Sequence, residues 1–351
     1  MKKLTALSVL AITMACATAH TAAQPGSAQK QFDETKETAC AAQGKANALS
    51  AARGWGATLL NDGVMSRSPR IARAQRQLAA DCYHQALKIA PDDAKAIEGL
   101  ATIWGLEAAE LASTDLPAAR VLWQLAYNQF ARALQLNPQF DQAARRWGNA
   151  LDAQAQALAA AQPADVAGAR ALWAQAGQKY ALGLQISPSD DYTASNWGAA
   201  LGHEAGVVAR SDLLAARGLW QQAYDRYNLA LKLNPQNIIA ASNLAAEMTT
   251  ERAALLKASP APTAQTIAQA DELLQRARII LLGLSDDSKA SVAYNIACMY
   301  ALDGKVADAL LWLQRSHSAG SLPQKSYIAQ DSDFDSIRST PAFAAWFAQL
   351  R

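Results

Sequence analysis

A repeated block of 19 residues is the feature that most constrains the fold of this 351-residue chain. Three copies align without gaps: RVLWQLAYNQFARALQLNP from Arg120, RALWAQAGQKYALGLQISP from Arg170 and RGLWQQAYDRYNLALKLNP from Arg217. A more divergent copy begins at Arg73. The copies end in prolines that are 47, 50 and 47 residues apart, at Pro91, Pro138, Pro188 and Pro235. Self-similarity at such a period predicts a repeat architecture.

A second block follows three of these prolines, and its third residue lies nine residues after each proline. It reads RRWGNAL from 145, SNWGAAL from 195 and SNLAAEM from 242. Both blocks carry apolar residues at i, i+3, i+4 and i+7, which is the period of a helix with one buried face. No segment alternates with period two, so we expect no strands. One repeat unit is therefore predicted to be a helix, a turn, a second helix and another turn.

The spacing of small and aromatic residues in the second helix resembles the tetratricopeptide repeat (TPR) family. Ala126, Phe130, Ala133 and Pro138 show it, and the two later copies keep the same spacing. The pairs Trp147-Gly148 and Trp197-Gly198 match the large apolar residue and the glycine of the family's first helix. The resemblance implies an all-α, TPR-like, right-handed helical-hairpin solenoid. Small residues let two helix backbones approach, the aromatic ring fills the space beside them, and proline ends the helix.

The repeat departs from the family in length, because a TPR unit has 34 residues. The additional residues lie between the two blocks, in Ala-rich stretches such as AQALAAAQPADVAGAR, and we expect them to lengthen the helices rather than form loops. Trp55-Gly56 occupies the motif position of an earlier unit. Trp104-Gly105 is displaced from it, so we do not expect that pair to act as the motif.

These patterns predict four segments. Residues 1–23 form a signal peptide, 24–48 a helical or flexible lead-in, 49–322 a solenoid of about five units, and 323–351 a C-terminal capping segment. The last segment resembles the tail that often closes bacterial TPR arrays. Within it, Thr340 is expected to cap a helix that begins at Pro341.

The leader MKKLTALSVLAITMACATAHTAAQ has two lysines, a short apolar run and small residues, which is the order of a secretory signal peptide. We predict cleavage after Ala23, with Ala19 as an alternative, and a periplasmic location. A second possibility is lipidation of Cys16, which would make the chain an outer-membrane lipoprotein. Nothing after the leader is apolar enough to predict a membrane-spanning segment.

The charge balance bears on the class of partner, and the cysteines bear on the redox environment. Without Lys2 and Lys3 the chain has 30 basic and 30 acidic residues, so no basic field predicts nucleic-acid binding. An exported protein meets oxidising conditions, which permits a disulfide between Cys40 and Cys82. Cys298, between Ala297 and Met299, is expected to be a small buried residue.

The sequence contains no recognisable catalytic constellation, and we predict a protein that is not an enzyme. After removal of the leader, the histidines are His84, His203 and His317, and their spacing predicts neither a metal site nor a cofactor site. Adjacent acids occur at 92–93, 190–191 and 286–287. Each pair lies at the expected start of a helix, where acids cap and complement the dipole.

The remaining candidate is a groove on the first helices, where such stacks bind protein or peptide partners. Some TPR domains clasp a peptide carboxylate, and this resemblance is partial: Arg145, Asn149 and Asn196 match, whereas Ile239 and Asn243 replace Lys and Arg. Side-chain amides can still hold an extended peptide backbone. The candidate groove residues are Arg145, Asn149, Asn196, His203, Asn243 and Asn295.

Three other interpretations remain open. The asparagines could instead bond neighbouring helices within the stack. A small ligand or glycan could occupy an aromatic-lined pocket, although Trp123, Trp173 and Trp220 are at helical spacing and are expected in the core. The chain could also be a spacer that dimerises.

The leader generates a prediction about covalent structure. Purified from its native envelope, the chain is expected to have the mass of residues 24–351, because the small residues before position 24 suit the signal peptidase. Intact-mass spectrometry measures this. A mass that begins at Cys16 with added acyl groups would instead support the lipoprotein alternative.

Overall fold

The computed structural model describes residues 45–66 and 68–350, and this part of the chain is all-α, with no strand. The predicted signal peptide 1–23, Cys16 and Cys40 lie outside the described residues, as does the lead-in up to residue 44. The helices, in chain order, are α1 (Lys45–Met65), α2 (Pro69–Ile89), α3 (Ala94–Leu111), α4 (Leu116–Leu136), α5 (Asp141–Ala160), α6 (Val166–Ile186), α7 (Asp191–Val208), α8 (Leu213–Leu233), α9 (Ile238–Lys257), α10 (Ala264–Leu282), α11 (Asp286–Ser291), α12 (Ala293–Leu302), α13 (Val306–Ser318), α14 (Lys325–Gln330), a 3-10 turn (Ser332–Phe334) and α15 (Pro341–Gln349).

The described residues form two compact units, divided at residues 189 and 190. The first unit contains the hairpins α1–α2, α3–α4 and α5–α6, and the second contains α7–α8, α9–α10 and α12–α13 followed by the tail. There are thus six hairpins within the described residues, where about five units were predicted. Within each unit, first helices also contact the first helix of the next hairpin: α1 contacts α3, α3 contacts α5, and α7 contacts α9. This stacking confirms the TPR-like helical-hairpin solenoid.

Aspartates begin the second helices at one repeat position. The side chains of Asp115, Asp165 and Asp212 accept hydrogen bonds from backbone N–H groups three residues ahead, at 3.0, 2.8 and 2.9 Å. Asp93 and Asp190 cap first helices in the same way, as the paired acids predicted. Each cap satisfies a backbone donor that the helix leaves unpaired. These acids are therefore structural.

The additional length of the repeats is helical, as predicted. The second helices α2, α4, α6 and α8 each have 21 residues. The Ala-rich stretch around Pro163 splits into the end of α5 and the start of α6, with only residues 161–165 between them. No helix in the described part of the chain combines the length and hydrophobicity that a membrane crossing requires.

An aromatic ring packs directly on the motif glycine of the first helix in three hairpins. A Cβ atom added to Gly56 would lie 2.8 Å from the Tyr83 ring, and one added to Gly148 would lie 2.6 Å from the Tyr180 ring. The third pair is Gly198 with Tyr227, at 3.0 Å. All three tyrosine rings are buried. An added Cβ would force the ring to shift at each of these positions, so the glycine permits a closer contact than a side chain would.

The displaced pair Trp104-Gly105 behaves as expected. A Cβ at Gly105 would approach the Ala150 side chain at 3.3 Å, and no aromatic ring is among its nearest neighbours. The sequence correctly separated this pair from the true motif.

The tail covers the end of the last hairpin. Phe334 and Phe343 are buried, with ring centroids 5.6 Å apart, and Phe334 also lies 5.7 Å from the Tyr294 ring of α12. Thr340 accepts a hydrogen bond from the Phe343 N–H, which confirms the predicted cap of α15. The apolar side chains of the tail therefore complete the core of α12 and α13.

The glycine contacts generate a stability prediction. Gly148→Ala is expected to destabilise the chain by about 1–3 kcal/mol, because the added methyl group overlaps the Tyr180 ring in a packed core. Gly218→Ala is the control, since nothing lies within 4 Å of its added Cβ. There alanine should stabilise the helix by about 0.5–1 kcal/mol. Urea unfolding measures both, and equal effects of the two substitutions would contradict the packing argument.

Candidate functional site

The structure brings Arg145 and Asn149 together in the first unit, beside Tyr180. The Tyr180 hydroxyl donates a hydrogen bond of 3.0 Å to Asn149 Oδ1. Burial raises the pKa of Tyr180 well above its usual value, Asp152 adds to the increase, and the positive charge of Arg145 opposes it. Asn149 therefore forms a hydrogen bond within the hairpin. This is the alternative role, bonding between neighbouring helices, that the sequence left open for the asparagines.

Arg146, which the sequence analysis did not single out, links two first helices. Its Nη1 atom lies 2.9 Å from Glu98 Oε1 and 3.3 Å from Thr102 Oγ1. The Glu98 side chain is buried and that of Arg146 is only 18% exposed. A buried carboxylate needs such a partner. The interaction could not be found from the repeat pattern, because it joins positions 48 residues apart.

Asn196 and Asn243 hold equivalent repeat positions in the second unit. Each follows the first serine of its block, Asn196 on α7 and Asn243 on α9, and these two helices contact each other. Both side chains are half-buried. The structure therefore places two amides on adjacent first helices, as the groove hypothesis requires.

The other two candidates also lie in the second unit. Burial raises the pKa of the Glu247 carboxyl on α9, and His203, half-buried on α7 seven residues after Asn196, lowers it. Asn295 lies half-buried on α12 of the last hairpin. His203 is thus tied to a buried acid, and Asn295 lies on a later hairpin than the two amides.

A side-chain cation lies over one face of the indole ring in two of the motif tryptophans. Lys179 Nζ lies 3.6 Å from the centroid of the Trp147 ring, and the guanidinium of Arg226 lies 3.7 Å from that of Trp197. Lys179 and Arg226 occupy the same position in their second helices. Burial lowers the pKa of Lys179. These cation–π pairs stabilise the two half-buried rings.

The other tryptophan series is core, as expected. Trp123, Trp173 and Trp220 are at most 4% exposed, so they cannot line an open ligand pocket. Two of their indole N–H groups donate to carboxylates: Trp173 to Asp152 at 2.8 Å, and Trp220 to Glu247 at 3.0 Å.

The two carboxylates reach the indoles from different helices. Asp152 belongs to the first helix of the same hairpin, whereas Glu247 belongs to the next hairpin. Gly202 occupies the repeat position of Asp152, and a Cβ there would lie 2.3 Å from the Glu247 carboxylate. Glu247 therefore fills the space that the missing side chain leaves.

The same repeat position explains why the Trp123 indole N–H has no acceptor among the described residues. The equivalents of Asp152 and Glu247 for this indole are Gly105 and Ala150, neither of which offers an acceptor. Accordingly, Trp123 Nε1 is buried and has no hydrogen-bond partner within the described residues. The sequence carried this signal, but only once the hairpin register was known.

A second buried acid extends the network in the second unit. Glu251 accepts a hydrogen bond of 2.7 Å from the Tyr224 hydroxyl and one of 3.0 Å from Arg217 Nε. Because buried carboxylates with such partners are held in place, they form the structural interior of the hairpins.

Comparisons with known proteins identify no family. No protein-family profile and no curated protein matches the chain. Among solved structures, it is similar to that titled "Functional Characterization of Pseudomonas Aeruginosa pilF", with 13% identity and a TM-score of 0.41, over 82% of this chain and 96% of that one. It is also similar to a monomeric mutant of IFIT1 solved with Gppp-AAAA, with 12% identity and a TM-score of 0.45. That match covers 85% of this chain and 66% of the other, just under two thirds of its length.

The tryptophan network generates a rescue prediction. Glu247→Ala is expected to cost about 1–3 kcal/mol, because it leaves the buried Trp220 N–H without an acceptor. Adding Gly202→Asp should recover part of this loss, since it recreates the arrangement of Asp152 with Trp173. Chemical unfolding of the wild type, the two single variants and the double variant measures the coupling. A double variant that is no more stable than Glu247→Ala would contradict the proposed equivalence.

Proposed function

We propose that the chain is a non-enzymatic scaffold that binds a protein or peptide partner through the first helices of its second unit. The observation that carries this proposal is the pair Asn196 and Asn243, two half-buried amides at equivalent positions of contacting helices. A primary amide offers two donors and one acceptor, so it can keep one contact within the protein and present another.

The spacing of the two helices suits an extended peptide. Packed helices lie about 8–10 Å apart, which is about three residues of an extended chain at about 3.3 Å each. Amides one repeat apart can therefore bond the backbone of a single bound segment at two points. Backbone groups are common to all peptides, so side-chain preference would come from the surrounding surface.

The proposed location is the cell envelope of a bacterium. The leader supports it, and so does Cys82, which is disulfide-bonded. Disulfides persist in oxidising compartments. Cys40, with which the sequence permits a disulfide, lies outside the described residues. A periplasmic chain, or a lipoprotein anchored through Cys16, would both meet partners there.

The scaffold proposal is tested with a displayed library of random peptides selected on the purified chain. Peptides that the wild type enriches are expected to lose about 5- to 150-fold in affinity for the double variant Asn196→Ala/Asn243→Ala. This corresponds to two hydrogen bonds of about 0.5–1.5 kcal/mol each. Fluorescence anisotropy of the labelled peptides measures the change.

The control variant is Asn228→Ala, which removes an exposed amide from the second helix α8 of the same unit. It should leave the affinity unchanged. If the double variant and the control bind the selected peptides equally well, the first helices are not the binding surface. A library that yields no specific binder would also count against the scaffold proposal.

A further inference from the structure

A mixed cluster of a thiol and two carboxylates joins the last hairpin to the tail. Cys298 lies on α12, and Asp331 and Asp333 flank the start of the 3-10 turn. The Cys298 Sγ atom and one oxygen of each carboxylate all lie within 4.8 Å of one another. The sequence gave no sign of this, because Cys298 and Asp331 are 33 residues apart.

The thiol is directed at the carboxylates rather than packed as an apolar residue. Cys298 is only 6% exposed, and its Sγ lies 3.8 Å from Asp331 Oδ2. Asp333 is its other hydrogen-bond partner. Within the described residues the thiol has no polar contact outside these two acids. A buried polar side chain thus points into a group of metal-ligand atoms.

The surrounding groups hold the Asp331 carboxylate in place. The Tyr294 hydroxyl donates a hydrogen bond of 2.6 Å to Asp331 Oδ2, and the Asp333 backbone N–H donates one of 3.0 Å to Asp331 Oδ1. Tyr294 is buried. Neighbours of this kind orient ligands in metal sites and tune their basicity.

The negative charge of the cluster is incompletely compensated. Nearby acids such as Asp303 and Asp335 have ion pairs, whereas Asp331 and Asp333 have none within 4.0 Å among the described residues. The positive charge of Arg252, on α9, also acts on Asp333. Burial and the two carboxylates raise the pKa of the Cys298 thiol. Partly buried charges without a partner are costly, and a bound cation would remove this cost.

We propose that Cys298, Asp331 and Asp333 bind one divalent metal ion of the zinc class, which fastens the tail to the last hairpin. A thiolate with carboxylate oxygens suits zinc and related transition metals. Calcium and magnesium prefer sites made only of oxygen ligands. This proposal is independent of the peptide-binding surface on α7 and α9.

Binding is an exchange of protons for the metal. The thiol loses its proton to solvent as the metal–sulfur bond forms, and any proton held by the carboxylates is released as well. Zinc–sulfur and zinc–oxygen bonds of about 2.3 and 2.0–2.2 Å place tetrahedral ligands about 3.4–3.6 Å apart. The Cys298 Sγ and Asp331 Oδ2 atoms, 3.8 Å apart, are already close to this spacing, and rotation of the Asp333 side chain can bring its oxygen to the same spacing. A water molecule would complete four-coordination, with Tyr294 holding Asp331.

The test is a metal titration of the purified full chain. After dialysis against a chelator under non-reducing conditions, Zn²⁺ is added and followed by calorimetry. Co²⁺ is added in a parallel titration, because a thiolate–cobalt bond has a charge-transfer absorption that carboxylates alone do not produce. The variants are Cys298→Ser, Asp333→Asn and Tyr294→Phe. The control is Asp308→Asn, which removes an exposed acid on α13.

The expected result is one bound ion per chain with a sulfur–cobalt band in the wild type and the control. Tyr294→Phe should weaken binding by about 10- to 100-fold, as loss of an orienting partner does. Cys298→Ser should abolish the band, and Asp333→Asn should weaken zinc binding by more than the tyrosine substitution. Circular dichroism confirms that each variant is folded.

Two results would overturn the proposal. One is a wild type that binds no stoichiometric ion, and the other is a Cys298→Ser chain that binds Zn²⁺ as tightly as the wild type. In the second case the ion would be held by surface carboxylates. If one variant fails to fold, the cobalt band of the wild type and the response of Tyr294→Phe still decide between the outcomes.

Discussion

The contact between a tyrosine ring and a backbone glycine sets the geometry of three hairpins. At Gly56, Gly148 and Gly198 the ring occupies the space that a Cβ would need, so the two helices are held at one separation and one register. Once this register is fixed, every other residue of the repeat faces a defined neighbour. The aspartate caps and terminal prolines then only determine where the helices begin and end.

The repeated block creates a second requirement. In three hairpins it places a tryptophan in the core, and the indole N–H of that tryptophan is costly to bury without an acceptor. Asp152 meets this need for Trp173, and Glu247 meets it for Trp220 from the following hairpin. Trp123 receives no acceptor among the described residues. Hairpins with the same repeat pattern thus differ in the acceptor of the buried indole N–H. The repeat pattern alone does not show this difference.

The predictable part of the structure is the part encoded locally. The helix type, the caps at Asp93 and Asp190, the added length and the false motif at Gly105 follow from neighbouring residues or from the period. The partners of Asn149 and Glu247 do not, because they depend on which side chains meet across a hairpin. The grouping of Cys298 with Asp331 depends in addition on how the tail returns to α12, which no local pattern specifies.

One repeat position shows how a structural role and a binding role can divide between the units. Arg146 occupies it in the first unit, where the side chain forms an ion pair with the buried Glu98. Asn196 and Asn243 occupy it in the second unit, and neither has a charge that demands a buried counterpart. Ser195 and Ser242 replace the acid that precedes this position in α3, Glu98. Because the second unit lacks both residues of the ion pair, its first helices carry half-buried neutral amides where the first unit has an arginine paired with a buried carboxylate. That difference is the physical reason to seek the partner at α7 and α9.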